Sequence, residues 1–266
     1  GDNEFSEIAA NINKMSEEIR VLMESERHNE KSKNEMITNI AHDLRTPLTS
    51  ILGYLDLINK RDLSEETKKE YLKIVYEKSK KLQDLIESLF SFTKTNSSKL
   101  VLKIDKIDII KLLCQLMEEF YPNFENKGIT CSVNTNEDSC VIDGDGTLLA
   151  RLFDNLINNA IKYGADGKRI DIKISVEKKI VKIAVINYGK VIPANELPLI
   201  FGKFYRVDQA RNSNTGGTGL GLAIAKNITE LHHGIIDVSS DLSGTIFSVT
   251  LPKELDVERE NFKRTE

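Results

Sequence analysis

Ile40-Ala41-His42-Asp43-Leu44-Arg45-Thr46-Pro47-Leu48 is the stretch from which the fold is read. Around it apolar residues recur at Ile37, Ile40, Ala41, Leu44, Leu48, Ile51, Leu52 and Leu55, a single stripe at helical period. His42 falls off that stripe. It shares a face with Arg45, Thr46 and Thr49, three, four and seven residues on, so the spacing predicts an imidazole pointing at water. Asp43 follows directly, a carboxylate able to hold the imidazole in one tautomer and to strengthen its other nitrogen as a nucleophile. Pro47 supplies no backbone N–H, so the carbonyl of Asp43 loses its helical donor and a bend is expected there. A surface histidine on a solvated helix face accounts for the same residues, and the stretch alone does not fix a function.

Working outward, this helix is expected over 35–60, followed by a polar turn at Arg61-Asp62. Ser64 is a candidate N-cap, with Glu65 and Glu66 in the first turn of a second helix. That helix carries Leu72, Val75, Ser79, Leu82, Ile86 and Leu89 in 3-4 alternation. A lone hairpin leaves such a seam wet, and pairing two copies into a four-helix bundle covers it. Upstream, Ile8, Ile12, Met15, Ile19 and Leu22 repeat at 4-3-4-3 spacing, which reads as a short coiled coil running into the hairpin. A single amphipathic helix packed on its own domain is the alternative.

The chain has 266 residues and a formal net charge of -4, which argues against nucleic acid as its main partner. No run approaches the roughly 18 uninterrupted apolar residues of a membrane span. Cys114, Cys131 and Cys140 are odd in number and lack CxxC spacing, the usage of reduced cytosolic thiols, with Cys114 expected in a core. The chain opens on Gly1 rather than Met, as a fragment of something longer would.

Past Asn96-Ser97-Ser98-Lys99 the pattern changes. Strands are expected at 100–104, 129–133, 140–142, 170–176, 181–186, 235–239 and 245–251. Helices are expected at 108–124, 145–163 and 220–233, the last stopped by Gly234. This mixture implies one sheet covered on one face by helices. The charged tail 256–266 is expected to be loose.

Four stretches here carry chemistry. On the helix beginning near Leu148, Leu149, Leu152, Phe153, Leu156, Ile157, Ala160 and Ile161 form the core stripe, while Asn155, Asn159 and Lys162 align on another face. A solvated polar face explains that alignment; so does a magnesium phosphate, because Mg²⁺ takes oxygen ligands and keeps several waters. Asn187-Tyr188-Gly189-Lys190-Val191-Ile192 closes an apolar strand, and Phe201-Gly202-Lys203-Phe204-Tyr205-Arg206 precedes a polar stretch read as a mobile loop. Gly216-Gly217-Thr218-Gly219-Leu220-Gly221-Leu222 opens a helix, where unobstructed N–H groups make an anion site.

Together these stretches resemble the two-component sensor histidine kinases. The His42 segment is similar to their phospho-acceptor box. Residues 154–163, 187–192, 201–206 and 217–222 stand in the order of the asparagine, first glycine, phenylalanine and second glycine boxes of the ATP-binding domain that they share with gyrase-type ATPases and Hsp90. Ser243-Gly244-Thr245-Ile246-Phe247 matches the last glycine turn. Phe120-Tyr121-Pro122 and the run from Arg206 to Arg211 are most similar to the vancomycin-resistance sensor kinases.

The resemblance implies a dimeric helical hairpin followed by an α/β sandwich. It divides the chain into a signalling helix (1–35), a dimerisation and phosphotransfer unit (36–98), an ATP-binding unit (99–254) and a tail (255–266). It implies that ATP gives its γ-phosphoryl to His42, with Asp43 alongside, that the phosphoryl passes to the receiver domain of a response regulator, and that the chain also dephosphorylates that regulator, with Thr46 positioning a water against the aspartyl-phosphate. Asn159 would hold Mg²⁺ with Asn155 beside it. Lys162, Tyr163, Arg206 and Arg211 would flank the phosphates, under a cradle of Gly217, Thr218, Gly219, Leu220 and Gly221. Asn187, Gly189, Ile192, Phe201 and Thr245 would line the nucleotide. The parent would be a plasma-membrane sensor with this portion in the cytoplasm, held to the membrane only by an N-terminal part absent here.

Two departures stand out. Asn187 occupies the position of the aspartate that reads the adenine amino group, and Val191 that of the second glycine. Asn155 occupies the position of the glutamate base of the water-splitting relatives, so the γ-phosphate would wait for His42 instead of being lost to water. A non-catalytic nucleotide-binding scaffold and a hydrolytic ATPase are the competing functions.

Overall fold

The computed structural model describes residues 2–60, 63–95, 101–205, 207 and 219–255, without the side chains of 2–12, 25, 28–29, 31–33, 35–36 and 94–95. The expected turn at Arg61-Asp62, the break at 96–99, the loop to Thr215 and the tail from 256 on lie outside the described residues. The chain divides into two compact units, Gly1–Leu82 and Gln83–Glu266.

In the first unit, helix α1 is Asp2–Lys60, 59 residues without a break. The expected coiled coil and acceptor helix are therefore one element, and the helix continues through Pro47. Helix α2 is Glu65–Thr95. Its start is fixed as the sequence predicts: the N–H of Thr67 donates to Ser64 Oγ at 3.2 Å, satisfying one of the free donors of the first turn. Tyr54 and Tyr71 pack edge to face, with ring centroids 5.1 Å apart. The seams stay uncovered in the single chain. Met15, Ile19 and Leu22 are exposed, as are Leu48, Leu52, Leu55, Leu72 and Ile86.

In the second unit, β1 (Asp105–Asp108) pairs antiparallel with β3 (Val141–Gly144) as a separate two-stranded ribbon. The main sheet has the order β2-β4-β5-β7-β6, comprising Thr130–Thr135, Arg169–Val176, Ile180–Asn187, Gly244–Pro252 and Ile235–Asp241. Only β2 and β4 pair in parallel. Two expectations are corrected here. Among the described residues there are two sheets, not one, and the first strand is not 100–104 but Asp105–Asp108. The apolar run at Val101 misled because Val101 is exposed. The ladder is set instead by Ile107 opposite Ile142 and by Lys106, whose Nζ lies 2.7 Å from Asp143.

Helices α3 (Ile109–Lys127), α4 (Gly146–Tyr163) and α5 (Gly221–Leu231) cover one face of the main sheet. Asp108 caps α3 and Asp145 caps α4, each accepting two backbone N–H groups of the first turn. Leu149, Leu152, Phe153, Leu156, Ile157 and Ala160 of α4 are fully buried, facing a floor that includes Ile170, Ile172, Val185, Phe247 and Val249. Each of the large side chains contributes about 1.5–3 kcal/mol by leaving water, and the Ala160 methyl about 0.8 kcal/mol. The alternate residues Lys173, Ser175 and Lys182 are exposed on the other face, as the pleat requires.

Cys114 is exposed, contrary to expectation. A helix buries one stripe, and α3 uses Ile110, Leu113, Met117, Phe120 and Phe124 for it. Cys114 is rotated about 100° from Leu113, at the edge of that stripe.

Candidate functional site

The acceptor segment is built by α1. His42 lies on the exposed side, its side chain 77% accessible. Its Nδ1 is 3.4 Å from Asp43 Oδ1. With Nδ1 carrying the proton towards that carboxylate, Nε2 keeps its lone pair and faces solvent. Thr46 donates its hydroxyl to the carbonyl of His42 at 3.1 Å, and Ser50 does the same to Thr46 at 3.2 Å. These back-bonds ease the turn ahead of and across Pro47, where a helical N–H is missing.

In the second unit, the chemistry-bearing stretches converge where the C-terminal half of α4 meets the ends of β5 and β7. Asn155, Asn159 and Lys162 are all half-buried on α4. Asn155 Nδ2 donates to the carbonyl of Arg151 at 2.8 Å. Its Oδ1 points at α5, since a Cβ on Gly221 would come within 2.9 Å of it. Gly221 is thus small so that Asn155 can stand beside the start of α5. That start has no side-chain cap among the described residues, and a helix N-terminus turns its N–H groups and positive dipole end towards an anion. The amino group of Lys162 sits 4.7 Å from the centre of the exposed Tyr163 ring.

Asn187 ends β5 opposite Thr245 of β7, and the two are equally buried, each 3% exposed. Cross-strand partners point to the same face, here the one covered by α4. A Cβ on Gly164 would meet the Asn187 side chain at 2.6 Å, and one on Gly189 would meet the carbonyl of Tyr163 at 1.8 Å. The turn after β5 therefore closes directly on the end of α4, and both glycines are there for contact. Thr245 Oγ1 is 2.7 Å from Ser240 Oγ, which accepts the N–H of Ile192 at 2.9 Å. Phe201 packs edge to face on Phe247.

Phe204 and Gly219 form a clasp. The N–H of Phe204 donates to the carbonyl of Gly219 at 2.9 Å. Both backbones are left-handed, with φ of 61° and 67°. A Cβ on Gly219 would lie 2.7 Å from the Phe204 backbone, so only glycine fits there. A left-handed phenylalanine is a strained residue, of a kind concentrated at functional sites. Arg206, Arg211, Gly217 and Thr218 lie outside the described residues.

Sequence reasoning missed the group beneath this turn. Asp171 has a side chain 2% exposed. It accepts from Ser132 Oγ at 2.7 Å, Tyr188 Oη at 2.6 Å and Arg169 Nε at 3.0 Å, with a second Arg169 nitrogen at 2.8 Å. Burial pushes its carboxyl up, but the hydrogen bonds from Arg169, Tyr188 and Ser132 outweigh it and hold the group below the usual carboxylate range. An aspartate inside an otherwise apolar strand was the available signal. Ser240 was also missed, although hairpin register across Asp241-Leu242-Ser243 places it opposite Thr245.

Comparison with known proteins decides the family. Residues 32–98 match the His Kinase A (phospho-acceptor) domain, and residues 144–255 match the histidine kinase-, DNA gyrase B- and HSP90-like ATPase family. Sensor histidine kinase YcbM of Bacillus subtilis is 30% identical over 95% of this chain and 82% of its own length. The chain belongs to the sensor histidine kinases. Sensor protein VanS of Enterococcus faecium is 41% identical over 84% of this chain, in agreement with the finer resemblance read around Arg206 to Arg211. The chain spans 58% of that relative's length. The histidine kinase ThkA, solved in complex with response regulator protein TrrA, shares the fold with a TM-score of 0.69 at 24% identity, over 82% of this chain and 61% of that one. Among the described residues, no helix is long and apolar enough to cross a membrane.

Proposed function

We propose that this chain is the cytoplasmic signalling portion of a membrane sensor kinase, transferring the γ-phosphoryl of ATP to His42 and then to an aspartate of a response regulator receiver domain. The observation that carries the reading is His42 itself, 77% accessible, with Nδ1 beside Asp43 and Nε2 free to attack. Asp43 keeps the tautomer and stabilises the imidazolium that develops as Nε2 bonds to phosphorus. The leaving oxygen departs with ADP, in line with the attacking nitrogen.

The second unit supports a nucleotide. The base end is the Asn187–Thr245 pair with Gly189, Ile192 and Phe201 around it. The phosphate end is the uncapped start of α5, with Gly219, Leu220 and Gly221, together with Lys162 and Tyr163. Arg206, Arg211, Gly217 and Thr218, which lie outside the described residues, are assigned to the phosphates on the family resemblance alone. A divalent cation fits the donors present. Asn159 offers an amide oxygen with no hydrogen-bond partner among the described residues, and Asn155 directs Oδ1 towards the same end of α5. No cluster of three or more acidic, histidine or cysteine residues among the described ones could hold a metal alone. Two neutral amides suit Mg²⁺ carried in by phosphates and water, which would supply charge neutralisation of the triphosphate. Asn155 cannot act as a general base, which favours transfer to His42 over hydrolysis.

The uncovered seams of α1 and α2 support a homodimer through the helical hairpin. ThkA, which shares the fold, is known in complex with a response regulator, and the same kind of partner is proposed here. The division into relay helix 1–35, phosphotransfer unit 36–98, ATP-binding unit 99–254 and tail 255–266 belongs to this reading. Incubation with γ-labelled ATP and Mg²⁺ tests it. Acid-labile, base-stable label should appear on the wild-type chain and be absent from His42→Gln, which still binds ATP because His42 makes no core contact. Label on the variant at wild-type stoichiometry excludes His42, and free phosphate alone would make the chain a hydrolase.

A further inference from the structure

The base end of the nucleotide site is neutral and reversible in its hydrogen bonding, and from this we infer that the site takes 6-oxopurine as well as 6-aminopurine nucleoside triphosphates. The inference rests on the reading above that the Asn187–Thr245 end receives the base. Three observations carry it. First, Asn187 is nearly buried yet its side-chain amide makes no hydrogen bond among the described residues, so none of these fixes which end of the amide faces the base. Second, the turn that carries it is closely packed: Gly164 at the end of α4 faces the Asn187 side chain, Gly189 in the turn itself closes on the carbonyl of Tyr163, and Gly244 approaches the Asn187 carbonyl. Below, Tyr188 is held by Asp171 and by the Arg169 guanidinium, 5.2 Å from the ring centre. The amide can turn over without moving the turn. Third, the neighbouring hydroxyls are paired, Thr245 with Ser240 at 2.7 Å, and either can be the donor.

The chemistry follows from the donor and acceptor inventory. Adenine presents an amino donor at position 6 and an acceptor at N1; a 6-oxopurine presents an acceptor at position 6 and N1–H as a donor. An asparagine meets the first with Oδ1 and the second with Nδ2. A hydroxyl pair that can reverse its direction gives to N1 or takes from N1–H. An aspartate at position 187 could only accept, so opposite a 6-oxo group it would leave two acceptors facing each other in a dry site.

Competition binding on the full chain with Mg²⁺ tests this, using ATP and ITP, which differ only in the groups at positions 6 and 1. For the wild type, the ITP dissociation constant should be within about tenfold of that for ATP, and Asn187→Asp should widen the ratio by at least about tenfold. A wild-type preference for ATP beyond tenfold overturns the proposal, as does a ratio that Asn187→Asp leaves within tenfold of wild type. The wild-type measurement stands whether or not the variant folds. If ATP itself fails to bind, the reading of the site as a nucleotide site is what falls, a result distinct from tight ATP binding with rejection of ITP.

Discussion

At Thr46 one hydroxyl has two candidate uses. It donates to the carbonyl of His42, a structural bond that eases the approach to Pro47. It also lies on the His42 face, four residues on, where it could position a water against the aspartyl-phosphate of a regulator. Thr46→Ala separates these uses. If the water-positioning role holds, His42 should be phosphorylated within about twofold of the wild-type rate while dephosphorylation of the regulator slows at least about tenfold. A parallel fall in both activities would assign Thr46 to the helix around Pro47 alone. The residues legible from sequence were those whose role depends on position along one element. His42, off its stripe, and the Asn155–Asn159–Lys162 face both follow from 100° per residue. Asp171, Ser240 and the reason for Gly221 were not legible, because each is defined by what a distant segment brings to it.

At the scale of elements, α4 and α5 are tied by a buried histidine. His232, 1% exposed, caps the end of α5. Its Nδ1 faces the carbonyl of Ile228 at 2.8 Å, and its Nε2 accepts the N–H of Asp145, the cap of α4, at 3.0 Å. Both nitrogens are committed only in the neutral form. Burial pushes the imidazole below its ordinary range, with His233 acting in the same sense and Asp145 and the Ile228 carbonyl opposing. Since the folded state binds its proton less readily than the unfolded chain, this tie contributes fully above the unfolded pKa near 6.5 and is lost as pH falls towards the folded value. Unfolding free energy should therefore drop with acidification below about pH 6.5, with a slope approaching ~1.4 kcal/mol per pH unit from this group. His232→Asn should remove that part of the slope and cost about 1–3 kcal/mol at pH 8, because the Asp145 N–H is left unpaired. Denaturant melts of the two proteins at pH 8 and pH 5.5 decide it; identical pH slopes would remove His232 from the account. The helices and the strands of the main sheet were readable because capping aspartates and apolar periodicity agree. Strand β1 was not, since its order depends on Ile142 and Asp143 across the ribbon rather than on its own four residues.

At the scale of the molecule, the uncovered seams set the assembly. Leu55 and Leu72 are 41% and 52% exposed in the single chain, and burying what remains of each against a second copy contributes about 1 kcal/mol. The double variant Leu55→Lys, Leu72→Lys should sediment as a monomer with its helical circular dichroism largely kept, while the wild type sediments at twice the chain mass. An unchanged dimer would move the interface elsewhere.

Helix α1 adds a geometric constraint, because its 59 residues run without interruption. At about 100° per residue, Met15, Ile19 and Leu22 lie at nearly the same azimuth as Ile37, Ile40, Leu44, Leu48 and Ile51, with His42 roughly 160° away. The upstream seam and the acceptor seam are in phase although a polar stretch separates them. One residue inserted between Leu22 and Ile37 would turn one seam about 100° away from the other, whereas seven would return it to within about 20°. The number of residues in that polar stretch is therefore an angular setting, fixed modulo seven.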